Sequence, residues 1–289
     1  MPIISLIAAP GALDPALAEN LRNAWGGGAV QWLSPDEAAE FAVPALPDTW
    51  DDTRAALADQ ADVNALPDEG RRKQMLLADM DSTMIQQECI DELANEAGFG
   101  SRVKAITARA MNGELDFEGA LTERVALLKG LPEAVIARVL DTRITPMPGG
   151  ATLIATMKAH GAHCALVSGG FTAFTTRVAG DLGFDEHRAN TLEIADALLT
   201  GTVTPPILGR EAKIEALEQI SARLGIAEAD VIAVGDGAND LGMLGRAGLG
   251  VALHAKPSVQ AQCDLRVNHG DLTALLYLQG YARDDFAAP

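Results

Sequence analysis

Hydrophobic and polar positions change rhythm several times along this chain. "IISLIAA" (3–9) and "AVQWL" (29–33) are short apolar runs of strand type, and "DPALAENLRNAW" (14–25) between them has helical periodicity. "PALPDTWDD" then reads as a connector. Residues 1–70 are therefore expected to form a small α/β module with its linker. The triplet Gly26–Gly28 has neither a strand directly before it nor a basic residue or helix start after it, so a turn is preferred over a phosphate loop.

From residue 75 the pattern becomes regular. "MLLAD" (75–79), "HCALVS" (163–168) and "DVIAVGD" (230–236) are short continuous apolar runs ending in a polar residue, with helix-like stretches between them. That alternation predicts an α/β fold built on a doubly wound parallel sheet covered on both faces. Roughly eighty residues lie between the first two runs, far more than one crossover helix needs. Within them "ECIDELANEAG", "SRVKAITARAMNG", "FEGALTERVALLKG" and "PEAVIARVLDT" have helical periodicity and mostly end at glycine. They are expected to form an inserted helical cap over residues 86–145, above a core made of 71–85 and 146–289.

Composition narrows the class. With 289 residues and 48% hydrophobic content the chain can bury a full core and more than one domain. No run of eighteen uncharged apolar residues appears and the N-terminus lacks the basic start of a signal peptide, so the expected location is the cytoplasm. Cys89, Cys164 and Cys263 are far apart, which argues against a zinc site or a disulfide framework and for reduced thiols. The five histidines show no ligand spacing. A net charge of −18, with Lys and Arg clustered only in "RRK" (71–73), speaks against nucleic acid and anionic membranes as partners. Residues 1–70 alone carry twelve acids against two arginines, which marks a boundary near residue 70.

In parallel sheets ligands bind outside the carboxyl ends of the strands. Here those ends carry Asp79 and Asp81, then Ser168, Gly169 and Gly170, then Asp236 with Asn239 and Asp240. Carboxylates gathered at one edge repel one another unless a cation or a reaction uses them, and a hard, oxygen-seeking Mg²⁺ suits the set. "SGG" at a strand-to-helix junction and the tight "GDGAND" turn offer donors to an anion. Lys213, near the start of a predicted helix, is the basic residue chosen to hold a phosphoryl group against the metal.

These residues resemble a known set. "DMDST" matches the DxDxT/V nucleophile motif of the haloacid dehalogenase superfamily, and "VSGG", Lys213 and "GDGAND" look like its second, third and fourth motifs in order. "QECIDELANEAG", "AMNGELDFEGALTERVALLKGLP" and "MPGG" are further similar to the cap and core of its phosphoserine phosphatases, over about residues 72–280. The resemblance implies a Rossmannoid core and a Mg²⁺-dependent phosphatase that hydrolyses O-phospho-L-serine, the last step of serine synthesis. It implies that Asp79 is the nucleophile and Asp81 the acid and base. Asp79, Asp236 and the Asp81 carbonyl would bind the metal, with Asp240 bracing it. Ser168, Gly169, Lys213 and Asn239 would hold the phosphoryl group. In the cap it implies Glu88 for the substrate ammonium, Arg124 for its carboxylate, and Met111 and Phe117 for an apolar lid. Residues 1–70 lie where bacterial members often carry an ACT-like module.

Taken singly, most of these residues have plainer readings. A lone DxD is common among forty acids, Ser168 and Gly169 are often a turn, and Lys213 is often a solvated helix residue. Arg124, with Glu123 and Glu118 nearby, reads equally as an exposed helical ion pair. Glu88 reads as surface, Met111 and Phe117 as core. Two other functions compete: a phospho-accepting receiver module, which needs neither Asp81 nor an eighty-residue insertion, and a phosphatase or phosphomutase of the same superfamily acting on another small metabolite.

Overall fold

A computed structural model describes residues 1–111 and 114–289, the Met111 side chain excepted. The chain forms two compact units, one of Met1–Leu77, Pro148–Cys164 and Leu217–Pro289, the other of Ala78–Met147 and Ala165–Ala216.

The first unit opens with β1 (Ile3–Ile7), α1 (Pro15–Ala24), β2 (Gln31–Ser34), β3 (Ala38–Ala42), α2 (Trp50–Ala56) and β4 (Asp62–Leu66). Their strands form a four-stranded sheet in the order β2-β3-β1-β4, with β1 antiparallel to both β3 and β4. Ile4, Leu6, Phe41 and Val63 line one core with Leu13, Ala18 and Leu21 of the α1 segment. Asp14 caps α1 by accepting from the Ala16 N–H at 2.8 Å, with Pro15 fixing the first turn. Gly27 is a packing glycine, since a Cβ there would lie 2.7 Å from the Phe41 ring.

The sequence pattern does not reveal β3, α2 or β4, and α2 begins inside the stretch read as a connector. The cause is polar residues within the strands whose partners are remote. Glu40 in β3 takes a two-pronged pair from Arg71, at 2.7 and 2.9 Å. In β4, Asn64 accepts from the Arg266 N–H and donates to its carbonyl, both at 2.9 Å. Asp62 accepts from the Asn268 and His269 N–H groups, both at 2.8 Å.

After this module come β5 (Met75–Ala78), α3 (Cys89–Glu96), α4 (Gly100–Met111), α5 (Phe117–Ala126), α6 (Ala134–Thr142), α7 (Gly150–Ala159), β6 (His163–Phe171), α8 (Thr172–Leu182) and β7 (Glu186–Asn190). The chain continues through β8 (Leu192–Ala195), β9 (Leu198–Val203), α9 (Arg210–Leu224), β10 (Val231–Gly235), α10 (Leu241–Leu244), β11 (Leu249–Leu253), α11 (Pro257–Gln260), β12 (Leu265–Val267) and α12 (Ala274–Leu278).

A six-stranded sheet has the order β12-β11-β10-β5-β6-β7 and is parallel in the pairs β10–β11, β11–β12 and β6–β7. The predicted parallel α/β fold is thereby borne out. Every residue of β5 and β10 is buried, as continuous apolar runs covered on both faces require. The four helical segments predicted between residues 86 and 145 are α3 to α6. In the second unit the β8–β9 hairpin holds the α5–α6 connection by its backbone: Gly130 N–H donates to Leu199 O, and Leu199 N–H to Leu131 O, both at 2.8 Å. Among the described residues no helix is long and apolar enough to cross a membrane.

Candidate active site

The chain leaves β5 at Asp79 and turns back at once. The Thr83, Met84 and Ile85 N–H groups all donate to Met80 O, and Ser82 takes a left-handed φ of 54°, uncommon for a residue with a side chain. Asp79 is buried. Its Oδ1 accepts from the Met80 N–H at 2.8 Å and pairs with Lys213 Nζ at 2.7 Å. Lys213, in the first turn of α9, is 1% exposed, so it is not a solvated helix residue. Two charges removed from water in this way are retained only when they are paired and hydrogen-bonded.

Asp81 meets the start of α3. The Cys89 N–H, first in that helix, donates to Asp81 Oδ1 at 3.2 Å. Burial, reinforced by the nearby Glu88 carboxylate, pushes the Asp81 carboxyl up to about 7, against the opposing pull of Cys89 and Lys213. A carboxyl so placed exchanges a proton near neutral pH, as a general acid and base must. Cys89 is fully buried beside it, and burial, with Asp81 next, holds its thiol well above the usual range.

"SGG" ends β6 and approaches both the aspartates and α5. A Cβ on Gly170 would lie 2.8 Å from Asp81 Oδ2, and one on Gly169 would lie 2.9 Å from Phe117 Cζ, so a side chain at either position would displace the Asp81 carboxylate or the Phe117 ring. Ser168 is 2% exposed, and its Oγ accepts from the Gly170 N–H at 2.8 Å, which leaves the hydroxyl proton to donate elsewhere.

Phe117 is the first residue of α5 because Asp116 caps that helix, accepting from the Gly119 N–H at 2.7 Å. Its ring also faces Gly209, where a Cβ would lie 3.1 Å from Cδ1. Arg124, two turns on, is half-buried. Burial lowers its basicity, opposed by Asp91, Glu88 and Asp81 in that order. Its Nε donates to Ala120 O at 3.2 Å, and among the described residues its terminal amino groups have no protein partner. Glu123 pairs instead with Arg109, at 2.8 Å, so the helical ion pair weighed for Arg124 does not form with Glu123. Glu88 is exposed and accepts from Ser82 Oγ at 2.7 Å. Met111 ends α4, and its side chain lies outside the described residues.

The loop after β10 belongs to the first unit. Asp236 and Asn239 are half-buried there, while Asp240 is fully buried and accepts from the Gly237 N–H at 2.9 Å. A Cβ on Gly235 would fall 2.4 Å from Asp240 Cγ, so the tight turn expected of "GDGAND" depends on that glycine.

Residues 76–245 match the model of the family described as haloacid dehalogenase-like hydrolase. The chain belongs to the haloacid dehalogenase-like hydrolases. The resemblance read from "DMDST" and its companion motifs is thus borne out. A phosphoserine phosphatase of Mycobacterium tuberculosis is 42% identical over 239 residues, 82% of this chain and 58% of the relative. A solved hydrolase of the same family from Salmonella enterica serovar Typhi superposes with a TM-score of 0.88 at 35% identity, over 96% of this chain and 98% of that one. A solved phosphoserine phosphatase described as a phospho-aspartyl intermediate analogue gives a TM-score of 0.67 at 42% identity, over 71% of this chain and 98% of the other. The chain spans 58% and 63% of the length of the curated relatives from Mycobacterium tuberculosis and Streptomyces coelicolor.

Within the second unit of this haloacid dehalogenase-like hydrolase, Asp79 pairs with Lys213, while Asp81 meets Cys89 and lies close to Gly170. Gly169 lies under Phe117, and Arg124 faces Glu88 through space. Sequence reasoning missed Cys89, Asp91 and Asn190. Cys89 and Asp91 lie inside "QECIDEL", so counting one turn from Glu88 would have reached Asp91. Nothing local marks Asn190.

Proposed function

We propose that this haloacid dehalogenase-like hydrolase is a Mg²⁺-dependent phosphatase that converts O-phospho-L-serine to L-serine and phosphate, the last step of serine biosynthesis, in the cytoplasm. In this reading residues 86–145 are the cap, 71–85 with 146–289 the core, and 1–70 a divergent ACT-like module. The βαββαβ order of that module supports the last assignment. The choice of substrate rests on one observation: among the described residues the terminal amino groups of the half-buried Arg124 have no hydrogen-bond partner, while Asp91, Glu88 and Asp81 act on it electrostatically. A planar fork so disposed suits a substrate carboxylate, and Glu88 supplies the opposite charge for an ammonium.

Asp79 and Asp236 with the Asp81 carbonyl are assigned to the cation, and Asp240 to bracing them. Asp79, Asp236 and Asp240 are all carboxylates, with no histidine or thiol among them, and hard oxygen donors fit Mg²⁺. When bound, the cation supplies positive charge against the phosphoryl oxygens and the nucleophile. The chain's own residues do the rest. An Asp79 oxygen attacks phosphorus while the bond from phosphorus to the serine oxygen breaks, and the Asp81 carboxyl gives its proton to that departing oxygen. Water then attacks the aspartyl-phosphate, Asp81 takes the water's proton, and the Asp79 carboxylate leaves. Lys213, Ser168, Gly169 and Asn239 hold the phosphoryl oxygens, and Phe117 and Met111 keep bulk water out. The test is continuous phosphate release across a set of small phosphomonoesters with Mg²⁺ present. Preference for phosphoserine supports the reading, and a different preferred metabolite or a single turnover overturns it.

A further inference from the structure

Asn190 ends β7 at a place where its neighbour leaves the sheet. Between the pairs Val167↔Arg188 and Phe171↔Asn190, β6 spends four residue steps where β7 spends two, so Ser168, Gly169 and Gly170 bulge outward. The Asn190 side chain is 1% exposed and spans this bulge. Its Nδ2 donates to Gly169 O at 2.9 Å and to Leu208 O at 3.1 Å, while its Oδ1 accepts from the Leu208 N–H at 2.7 Å. Two carbonyls on one side and an N–H on the other fix which end of the amide is which. The Gly169–Gly170 peptide is thereby held at both poles, its carbonyl by Asn190 and its N–H by Ser168 Oγ at 2.8 Å. The same amide holds the turn at Leu208 and Gly209, and the Phe117 ring rests on both Gly169 and Gly209.

We propose that Asn190 is a positioning residue for phosphoryl transfer: one buried amide locks the "SGG" bulge and the turn at 208–209 into a single register. The phosphoryl donors and the floor under Phe117 are then set together. This rests on the reading of "SGG" as the phosphoryl cradle. The partners of the amide come from two separate segments. Asp at this position would turn an oxygen toward the two carbonyls, and Ser is too short to reach both segments.

The experiment compares wild type with Asn190→Asp and the neutral Asn190→Ser, which excludes a simple charge effect. It follows kcat and KM on phosphoserine and p-nitrophenyl phosphate, inhibition by inorganic phosphate, and thermal unfolding. A misplaced cradle should lower kcat on both substrates by a common factor on the order of 10²-fold and weaken phosphate inhibition. The KM ratio of the two substrates should not change, because Arg124 and Glu88 are on other elements. A purely structural loss would reduce the active fraction without moving the phosphate inhibition constant, and that result overturns the proposal. Folded variants with wild-type kcat, or two variants that both fail to fold, overturn it equally. Wild type that cleaves p-nitrophenyl phosphate but not phosphoserine defeats the substrate reading alone.

Discussion

Arg124→Ala separates substrate recognition from chemistry. The guanidinium is half-buried, its Nε is tied to Ala120 O, and Asp91 and then Glu88 are the acids that act on it most strongly. Removing it deletes the positive charge offered to a substrate carboxylate. Truncating one partner of a buried charge pair costs roughly 2–5 kcal/mol, or about 30-fold to several thousand-fold in kcat/KM. Arg124 is only half-buried, which favours the lower end, about 10²-fold for phosphoserine. Phosphoethanolamine keeps the phosphoryl group and the ammonium but lacks the carboxylate, so its kcat/KM should change by less than about threefold. Arg124→Lys, with charge but no planar fork, should fall between. Arg109→Ala is the control, since Arg109 pairs on the exposed surface with Glu123 and Glu114 and should leave both substrates unaffected. Equal losses on the two substrates, read from phosphate release at several concentrations, would refute the carboxylate assignment.

Three further outcomes are expected. Asp79→Asn should form no phosphoenzyme, whereas Asp81→Asn should still give a burst of about one equivalent of nitrophenol from p-nitrophenyl phosphate, whose leaving group needs little acid, before a slow steady phase. Rapid mixing reads this, and the absence of a burst in a folded Asp81→Asn enzyme refutes the division of labour. Asp236→Asn should raise the Mg²⁺ concentration needed for half-maximal rate, and excess EDTA should abolish wild-type turnover; activity that survives EDTA refutes the metal assignment. Asn64→Ala deletes both bonds to the Arg266 backbone and should lower stability by about 1–3 kcal/mol, read as an earlier urea midpoint. An unchanged midpoint would mean that β4 is held against β12 by other contacts.

What the sequence made legible follows from where information is local. β5 and β10 are uninterrupted apolar runs, and the carboxylates follow them directly, so both strand and candidate site residues could be picked out in one window of the chain. The helices α3 to α6 announce themselves by periodicity, and all but α6 by a following glycine as well. β3 and β4 do not, because Glu40, Asp62 and Asn64 interrupt their apolar pattern. The groups that satisfy them are Arg71, some thirty positions away, and the backbone at 266–269, about two hundred positions away. Asn190 is hidden for the same reason, since it serves a bulge about twenty residues before it and a turn about eighteen after it.

Arg124 is the instructive case. Local spacing offered it Glu123 and Glu118, a sufficient account of an exposed helix. Packing of α4 beside α5 brings Arg109 to Glu123, from fourteen positions upstream, and so supplies that acid with a different partner. Arg124 lies instead half-buried, where burial lowers its basicity and Asp91, Glu88 and Asp81 oppose that lowering. Whether Glu123 pairs with Arg124 or with another arginine was therefore decided by the helix next to it, and only the packed structure carries that choice.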